Sequence, residues 1–526
     1  MPKVIVADKV SSEGVDILKQ AAEVDVRTGL PKEDLIGCIG DYDGLVVRSA
    51  TKVTADVIAA ADKLRIIGRA GVGVDNIDVP AATQRGILVV NSPEGNTIAA
   101  AELTMAHLLS LSRNIPAADA SVKRGEWERN KYVGVEAYNK TLGIIGLGKI
   151  GREVARRAQA FGMRVIGQDP FLSADVAKKL GVELVDLEAL LRQCDYITLH
   201  LPKNKETEGM IGRAQFDIMK DGVRIVNVAR GGIIEEQALA EALTSGKVAG
   251  AAVDVYSEEP IPADNPLLTA PNVVTTPHLG ASTEEAQSKV AIDVAQQIVD
   301  YFNGKPARAA VNMPAISADV LSRIAPYLTL AERMGSLLTQ TVDGRIDGID
   351  VTYCGDLASE DTGPITRAVL TGILTPILSE TVNYVNAPVI AEARGMRVTE
   401  SRSPAMGDFT CLLSVSAATD KGTKEISGTL FGRNDIRIIH IDSYRVDLVP
   451  EGTMLVAPHI DRPGIVGKVG TILGNRGINI GGMHVGREKI GSHAIMVLSV
   501  DSTIPDDVMR EIERVDGIEG VRQVTF

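Results

Sequence analysis

The sequence predicts an α/β protein that is divided into several domains, and three observations lead to this prediction. The chain has 526 residues, which is more than a single hydrophobic core usually contains. Short β-branched runs alternate with helical patterns over residues 1–95 and again from residue 141, as is typical of parallel α/β units. The last 75 residues follow a βαββαβ order, which indicates a small ferredoxin-like sandwich.

The first α/β unit is predicted to contain four strands, at 4–7, 45–48, 65–68 and 87–91, and three helices, at 12–22, 55–60 and 79–84. One long helix is then expected over 97–123, with Asn96 or Thr97 as its N-cap. The second unit has its predicted strands at 141–145, 196–201, 224–228, 249–255 and 273–276. Another long helix is predicted over 282–303, because Ser282 and Glu285 have the spacing of a capping box.

The rest of the chain begins after residues 312–315, where Asn-Met-Pro-Ala breaks the pattern and predicts a linker. Between 316 and 452 a helix (368–384) and strands (349–354 and 436–446) are predicted, without a motif of recognisable chemistry. The final segment is predicted to contain strand 454–460, helix 464–476, strand 478–485, strand 493–500, helix 505–514 and strand 518–525.

The composition limits the kinds of partner. A net charge of −13 argues against nucleic acid or an anionic membrane as the main partner. The four cysteines lie far apart without a CxxC pair, so reduced thiols are expected rather than disulfides or a zinc site. Asp8, Asp75 and Asp78 lack histidine or cysteine company at ligand spacing, so no metal is expected. The charged N-terminus resembles no signal peptide and no apolar run is long enough to span a bilayer, which predicts a cytosolic protein.

The strongest functional signal is GLGKIG at residues 146–151, which follows an apolar run and opens a helical stretch. Asp169 ends the next apolar run, 18 residues after the last glycine. This order is the dinucleotide fingerprint of a Rossmann domain, in which the glycines allow a tight turn and a close approach of the pyrophosphate. A carboxylate at Asp169 accepts hydrogen bonds from the ribose hydroxyls and repels a 2′-phosphate, which favours NAD over NADP.

Three further residues, Arg230, Glu259 and His278, follow successive predicted strands of the same unit. Because ligands bind at the carboxyl ends of strands in doubly wound sheets, we expect all three in one cleft. A histidine can take the hydroxyl proton of a secondary alcohol, a carboxylate behind the ring can orient it, and an arginine can bind a substrate carboxylate through two parallel hydrogen bonds. The set predicts hydride transfer between a nicotinamide and a 2-hydroxy or 2-oxo acid.

Longer stretches around these residues resemble the signatures of the D-isomer-specific 2-hydroxyacid dehydrogenases. They are GLGKIGREVA (146–155), NVARGG (227–232), DVYSEEP (254–260) and TPHLGAST (276–283). VVRSATKVT (46–54), GRAGVGVDNID (68–78) and NSPEGNTIAAAELT (91–104) are similar to the branch of that family that oxidises 3-phospho-D-glycerate. The resemblance runs from residue 3 to the C-terminus and implies that Arg230, Glu259 and His278 are catalytic, with His278 as the acid/base. The NAD contacts that motif and resemblance together assign are Gly146, Gly148, Lys149, Ile150, Gly151, Asp169, Val228, Ala229, Arg230, Asp254, His278 and Gly280.

The implied substrate is strongly anionic, and two arginines that follow predicted strands, Arg48 and Arg69, suit a phosphate because a guanidinium binds it through two hydrogen bonds. The resemblance lends substrate-binding roles to these two residues, to Asn96 and to Arg129, which lies in a charged loop that could cross a subunit boundary. Two alternatives stay open. One is a broader reductase of glyoxylate, hydroxypyruvate or 2-oxoglutarate, and the other is a dinucleotide-sensing corepressor, which the acidic balance and the three catalytic-type residues oppose.

The C-terminal stretch HIDRPGIVGKVGTILGNRGINI (459–480) resembles the ligand-binding edge of an ACT domain. Backbone amides at its Pro-Gly turn can bind a carboxylate, and Asp461 and Asn479 can pair with an amino group and a polar side chain. The resemblance predicts L-serine as an effector near His459, Asp461 and Asn479, between paired ACT domains of a homotetramer. The alternative is a ferredoxin-like dimerisation module without a ligand.

The late position of GLGKIG predicts a Rossmann NAD-binding domain (98–289) inserted in a flavodoxin-like substrate domain (1–97 and 290–314). Thr97 and Ser282 would begin the two helices that cross between them and would form a hinge. An α+β intervening domain of allosteric or substrate-binding type (315–452) and a ferredoxin-like ACT domain (453–526) are expected to follow.

Overall fold

The computed structural model describes residues 1–314, 316–403 and 409–526. Residue 315, at which the sequence predicts the end of the linker and the start of the third domain, lies outside the described residues. The described residues form four β-sheets. Their strands are β1 Lys3–Val6, β2 Glu23–Val26, β3 Gly44–Val47, β4 Ile66–Arg69, β5 Leu88–Asn91, β6 Thr141–Ile145, β7 Arg164–Gln168, β8 Glu183–Leu184, β9 Tyr196–Leu199, β10 Val223–Asn227, β11 Val248–Val253, β12 Val273–Thr275, β13 Ile346–Gly355, β14 Arg397–Ser403, β15 Cys411–Thr419, β16 Gly422–Phe431, β17 Asp435–Ile441, β18 Tyr444–Leu448, β19 Thr453–Ile460, β20 Ile480–Arg487, β21 His493–Val500 and β22 Arg522–Thr525.

Helices connect and cover these strands. They are α1 Ser12–Leu18, α2 Lys32–Cys38, α3 Ala55–Ala59, α4 Val79–Gln84, α5 Thr97–Arg113, α6 Ile115–Lys123, α7 Lys149–Ala160, α8 Ala174–Lys179, α9 Leu187–Gln193, α10 Arg213–Ile218, α11 Glu236–Thr244, α12 Glu284–Phe302, α13 Ala318–Thr341, α14 Gly363–Leu374, α15 Ala387–Ala393, α16 Ile465–Asn475 and α17 Asp506–Glu513. Within the described residues, no helix is both long enough and apolar enough to cross a membrane.

The first sheet has the order β2-β1-β3-β4-β5 with every pair parallel, which is the flavodoxin order. The sequence did not predict β2 or α2. The missing signal for β2 is physical, because its Glu-Val-Asp-Val run is mostly exposed and alternates charged with apolar residues at the sheet edge.

The second sheet has seven parallel strands in the order β12-β11-β10-β9-β6-β7-β8. Its strand β6 lies at the switch point of a Rossmann arrangement, with the chain moving outward on both sides of it. The residues that follow β6, β9, β10 and β11 therefore meet at one edge of the sheet.

Two expectations about the long helices were wrong in detail. The predicted helix over 97–123 is two helices, because Asn114 adopts a left-handed φ of 54° and Pro116 can only continue as the start of a new helix. The helix predicted from Ser282 begins instead at Glu284, where the Thr283 hydroxyl accepts a hydrogen bond from Ala286 N at 3.1 Å.

After the second sheet the chain returns to the first. Helix α12 packs on that sheet so closely that a Cβ on Gly68 would lie 2.4 Å from Val294. The Gln297 side chain donates to Asn91 O and accepts from Ala309 N, both at 2.9 Å, and Ala310 forms an antiparallel bridge to Val90 beside β5. The segment that forms the second sheet is thus inserted, in sequence, between two segments that belong to the unit of the first sheet.

The third sheet, in the order β14-β13-β15-β16-β17-β18, lies against helices α13 and α14. The predicted helix 368–384 is the shorter α14 followed by a 3₁₀ turn at Thr375–Ile377, since Pro376 cannot continue the helical hydrogen bonds. The predicted strand 436–446 is a hairpin of β17 and β18, because Asp442 turns the chain with a φ of 51°.

The fourth sheet has the antiparallel order β20-β21-β19-β22, with α16 and α17 on one face. Its other face, through Met454, Val456 and Val497, joins the core beneath α13. Gln340 at the end of α13 exchanges two hydrogen bonds of 3.0 Å with the backbone of Thr525 in β22. The third and fourth sheets therefore share one hydrophobic core.

Candidate active site

The glycine-rich loop joins β6 to α7. Gly146 has a φ of 93°, and a Cβ there would lie 2.5 Å from the carbonyl oxygen of His200, so the position requires glycine. A Cβ on Gly151 would lie 2.1 Å from the carbonyl oxygen of Gly146, whereas one on Gly148 would meet no atom within 4 Å. The open side of the loop therefore lies at Gly148, the N-cap of α7, where backbone N–H groups can bind a pyrophosphate.

Asp169 follows β7 directly. Its carboxylate accepts hydrogen bonds from Leu147 N at 2.8 Å and Phe171 N at 2.9 Å, which fix it beside the glycine-rich loop. Arg164, at the start of the same strand, pairs with Glu183 at 2.7 Å. A dinucleotide on this loop would therefore meet a carboxylate at its ribose, with Arg164 engaged at the far end of the strand.

The His278 imidazole and the Glu259 carboxylate form a hydrogen-bonded pair, with 2.7 Å between Nδ1 and Oε2. The other carboxylate oxygen accepts from Tyr256 N at 3.1 Å. Burial alone would raise the pKa of Glu259, but the hydrogen bonds from His278 and Tyr256 N, with the attraction of Arg230, lower it below its ordinary value. The ionised carboxylate accepts the Nδ1–H, which leaves Nε2 as the ring atom with a lone pair.

The backbone at His278 is in the left-handed region, with a φ of 56°, which is uncommon for a residue with a Cβ. Its N–H donates to the carbonyl oxygen of Asp254 at 2.9 Å. The fully buried Asp254 carboxylate accepts from Thr276 Oγ1, Leu279 N and Gly280 N at 2.6, 2.7 and 2.9 Å. Asp254, which the sequence predicts as a cofactor contact, thus holds the turn that carries His278.

Arg230 follows β10 and reaches across to the first unit. Its Nε donates to Asp75 at 3.0 Å and its Nη1 donates to the carbonyl oxygen of Ala229 at 2.8 Å. The guanidinium passes so close to Gly73 that a Cβ there would lie 2.0 Å from Nη2. Asp75 and Arg230 therefore connect the two sheets at the cleft.

The three aspartates that were considered as metal ligands have separate structural partners. Asp75 pairs with Arg230, Asp78 caps α4 by accepting from Ala81 N at 3.0 Å, and the buried Asp8 accepts from Arg48 N at 2.6 Å. Among the described residues, no group of three or more His, Cys, Asp or Glu side chains is arranged to hold a metal ion.

Arg69, at the end of β4, is the central cation of the cleft. Burial and the repulsion of Arg230 lower its pKa to about 10, against the attraction of Asp75, so it stays protonated at neutral pH. Its Nε is buried without a hydrogen-bond partner among the described residues. An unsatisfied buried donor of this kind is where an anionic ligand would gain most.

Three adjoining cavities, of about 640, 590 and 270 Å³, open between the two sheets, and Arg69 and His278 line all of them. The two larger ones also contain Glu259 and Lys52, and Arg48 lines the one of 590 Å³. The smallest cavity lies on the side of the glycine-rich loop. Several residues that the sequence predicts as cofactor or substrate contacts also line it, namely Asn96, Ile150, Val228, Ala229, Arg230 and Gly280. Residues from separate strands thus meet in one cleft.

Other predicted residues lie outside these cavities or serve elsewhere. Arg129 is exposed in the 3₁₀ turn Arg129–Tyr132 and lines none of the three cavities. Lys149 forms an exposed ion pair of 2.6 Å with Glu94, which precedes α5.

Two residues of the cleft, Lys52 and His200, were not predicted from the sequence. The Nδ1 atom of His200 is buried without a partner in the described structure, and burial lowers the pKa of His200 to about 3. The motif VVRSATKVT contained Lys52, but its side-chain direction depends on the loop that Asp8 holds.

The three residues predicted for an effector are not brought together within one chain. His459 is buried, and its Nδ1 lies 3.1 Å from Ala457 O. The Asp461 carboxylate accepts from Gly491 N at 3.1 Å, while Asn479 donates to Asp501 at 2.8 Å. Asp461 lies opposite Ser492, just before β21, and Asn479 lies opposite Asp501, just after it. Nine steps of extended chain separate these positions, which is about 30 Å.

Comparison with known proteins identifies the class to which this cleft belongs. Residues 105–280 match the family model described as D-isomer specific 2-hydroxyacid dehydrogenase, NAD binding domain. Residues 323–442 match the D-3-phosphoglycerate dehydrogenase intervening domain, and residues 459–517 match the ACT domain. The second sheet thus carries the NAD-binding domain of a 2-hydroxyacid dehydrogenase.

Relatives that match over their whole length narrow this class. The D-3-phosphoglycerate dehydrogenase of Methanocaldococcus jannaschii is 48% identical over 100% of both chains, and that of Bacillus subtilis is 43% identical over 100% of this chain and 99% of its own. A solved NAD-dependent formate dehydrogenase from Staphylococcus aureus in complex with NAD is 30% identical, with a TM-score of 0.53 over 58% of this chain and 97% of its own. The chain therefore belongs to the D-isomer-specific 2-hydroxyacid dehydrogenase family and, within it, to the D-3-phosphoglycerate dehydrogenases.

Proposed function

We propose that the chain oxidises the C2 hydroxyl of 3-phospho-D-glycerate to a ketone, with NAD as the hydride acceptor, and so forms 3-phosphohydroxypyruvate as the first step towards L-serine. The single observation that carries this proposal is the His278–Glu259 pair, which faces Arg69 and Arg230 in one cleft. The pair supplies a base for the hydroxyl proton, and the two guanidinium groups supply positive charge for a substrate with two anionic ends.

The residues of the glycine-rich loop fit the cofactor. The open side at Gly148, the N-terminus of α7 and the carboxylate of Asp169 can hold the pyrophosphate and a ribose. The cavity lined by Ile150, Val228 and Gly280 leads from there to His278. Bound NAD would accept a hydride at its nicotinamide ring.

The reaction then depends on three side chains, those of His278, Glu259 and Arg230. Nε2 of His278 accepts the proton of the C2 hydroxyl, while the C2–H bond breaks and its electron pair leaves as hydride. Glu259 keeps the Nδ1–H in place and stabilises the imidazolium that forms. Arg230 binds the substrate carboxylate and the C2 oxygen, which carries more negative charge as the proton leaves.

The phosphate of the substrate is assigned to the side of the cleft that is formed by the first unit. Arg48 and Arg69 line the cavity of 590 Å³ together with Lys52, which adds a third positive side chain. We assign Arg48 and Arg69 to the phosphate, Asn96 to the substrate near the N-terminus of α5, and Arg129 to substrate bound in a neighbouring subunit. The assignment of Arg129 accords with its position, since it is exposed and lines none of the three cavities of its own chain.

A broader reductase is the second candidate, because a solved glyoxylate reductase from Paecilomyes thermophila is 31% identical with a TM-score of 0.54. That similarity covers 59% of this chain, whereas the phosphoglycerate enzymes match all of it. The test compares NAD reduction by 3-phospho-D-glycerate and by D-glycerate, and NADH oxidation by glyoxylate, hydroxypyruvate and 2-oxoglutarate. We expect kcat/KM for the phosphorylated acid to be about a hundredfold higher or more, since two charge-assisted contacts depend on the phosphate. Equal values for both acids would contradict the proposal.

We further propose that L-serine is an effector that binds between ACT domains of two chains in a homotetramer. The match to the ACT domain and the separation of Asp461 from Asn479 support a site shared between chains. A cytosolic location stays a prediction of the sequence. Titration of NAD reduction with L-serine, beside sedimentation of the same sample, tests effector and assembly together.

A further inference from the structure

A separate cavity of about 440 Å³ lies between the first unit and helices α13 and α14, away from the cleft described above. Its volume is that of a small-molecule site. Most of its wall is apolar, and Leu88, Leu328 and Val385 are buried side chains of that wall. A small ligand with an apolar body would therefore fit it.

The two units that enclose the cavity are held together by hydrogen bonds. Asn383 donates to the carbonyl oxygen of Gly86 at 2.8 Å, and Asn386 donates to that of Gln84 at 3.4 Å. Val385, between these asparagines, belongs to the hydrophobic core of the first unit. A ligand in the cavity would thus contact both the first unit and the domain that follows it.

One wall of the cavity carries a half-buried arginine without an acidic partner. Arg367 donates from Nη1 to the carbonyl oxygen of Tyr384 at 2.8 Å, and no carboxylate of the described residues forms an ion pair with it. Burial lowers its pKa, which reflects the cost of a guanidinium that is removed from water and unpaired. A carboxylate beside it would remove that cost through charge-assisted hydrogen bonds.

Another wall carries a carboxylate. Glu332 accepts a hydrogen bond from the Tyr384 hydroxyl at 3.0 Å and forms no ion pair with a described residue. A second negative group on the ligand would meet this carboxylate and be repelled by it. Lys305 also lines the cavity but pairs with Asp300 at 3.7 Å. Of the two cations in the described lining, only Arg367 therefore lacks an acidic partner, and the cavity favours a ligand with one negative charge over a ligand with two.

We infer that this cavity is a second ligand site, specific for a small organic monocarboxylate with an apolar body, whose carboxylate pairs with Arg367. The site is independent of the activity proposed above. It shares no lining residue with the three cavities of the catalytic cleft.

The test uses isothermal titration calorimetry on the full-length chain with 3-phenylpropanoate as the probe. 3-Phenylpropanol, 3-phenylpropylamine and glutarate serve as comparisons for the missing charge, the opposite charge and a second charge. We expect the carboxylate to bind at least tenfold more tightly than each of the three. Equal binding of the alcohol, or absence of carboxylate binding at millimolar concentration, would overturn the inference.

Two variants separate the site from general effects on the fold. Arg367→Met removes the charge and keeps a long side chain, and Leu321→Trp fills part of the cavity while Arg367 itself is retained. Both are expected to weaken 3-phenylpropanoate binding at least tenfold, while Arg394→Met, an exposed arginine in the same domain, leaves it unchanged. If Arg367→Met fails to fold, Leu321→Trp decides the question, and unchanged affinity in that variant would show that the probe binds elsewhere.

Discussion

The catalytic cleft and the ACT sheet carry comparable sets of polar residues, but one chain completes only the first set. In the cleft, Arg230 and Glu259 follow β10 and β11 and lie near His278, which follows β12, because parallel strands bring their carboxyl ends to one edge of the second sheet. Arg69, at the end of β4, lines the same cleft from the first sheet. In the ACT sheet, antiparallel strands send Asp461 and Asn479 to opposite ends. Topology alone thus separates a site built within a chain from one that would need two.

The two regions also differ in how their histidines are used. His278 is partly exposed, has one ring nitrogen bound to Glu259 and has the other available to a ligand. His459 is buried, and its Nδ1 lies 3.1 Å from the carbonyl oxygen of Ala457 in its own strand. Of the two histidines, His278 has its ring held by a carboxylate, whereas the Nδ1 of His459 lies beside a backbone carbonyl oxygen of its own strand.

The largest expected effect concerns the cleft. His278→Ala removes the base and should lower kcat by about 10²–10⁴-fold, the usual contribution of a positioned acid/base. NAD affinity, measured by calorimetry, should fall much less than kcat, because His278 is only one of the predicted NAD contacts and the glycine-rich loop is intact. His484→Ala, an exposed histidine of the ACT sheet, is the matched control and should retain full turnover. Comparable losses in both variants would remove the distinction between the two regions.

The next largest effect concerns L-serine binding by variants of the ACT sheet. Asp461→Ala and Asn479→Ala should each weaken L-serine binding at least tenfold in pure oligomers, since each is assigned to a contact in the shared site. In oligomers formed from both variants, one interface site recovers both native residues and the other loses both. Serine binding should therefore return at half of the sites of each mixed interface, and at about a quarter of all sites when equal amounts of the two variants mix at random. Failure to recover it would show that each chain forms its site alone.

The sequence predicted those features of the two regions that depend on residues close together along the chain, and it missed those that depend on single backbone angles or on packing between distant segments. The cleft positions of Gly146 and Asp169 could be predicted because a local strand-loop-helix pattern fixes them, and that of His278 because it follows a strand of the same parallel sheet. Their roles stay predictions. The break at Asn114 and the turn at Asp442 were missed, since a single left-handed residue leaves the apolar periodicity unchanged. The burial of His459 depends on the packing of α16 and α17 over its strand, which no local pattern reports.

The cofactor end of the cleft allows a graded test. Asp169→Asn keeps an acceptor for Leu147 N but removes the charge. We expect the preference for NAD over NADP, as a ratio of kcat/KM values, to fall by about 10–100-fold, because charge-assisted bonds to the ribose and repulsion of the 2′-phosphate both weaken. Arg164→Ala should leave the ratio unchanged, since that side chain pairs with Glu183 at the other end of the strand. A similar fall of the NAD/NADP ratio in both variants would mean that the adenosine ribose does not bind at Asp169.

The smallest effect tests whether Glu259 is ionised in the folded protein. Its pKa is lowered from the ordinary value of 4.5, so its contribution to stability is present above that value and is lost as the pH falls through the lower folded-state pKa. Glu259→Gln carries no such titration. The difference in Tm between the native chain and this variant should shrink as the pH falls below about 4, as measured by thermal unfolding with reversibility checked at each pH. Glu258→Gln, the exposed neighbour, should show no such change with pH. A difference that instead grows as the pH falls from about 4 to 3 would mean that Glu259 is protonated in the folded state, and His278 would then lack the carboxylate that distinguishes it from His459.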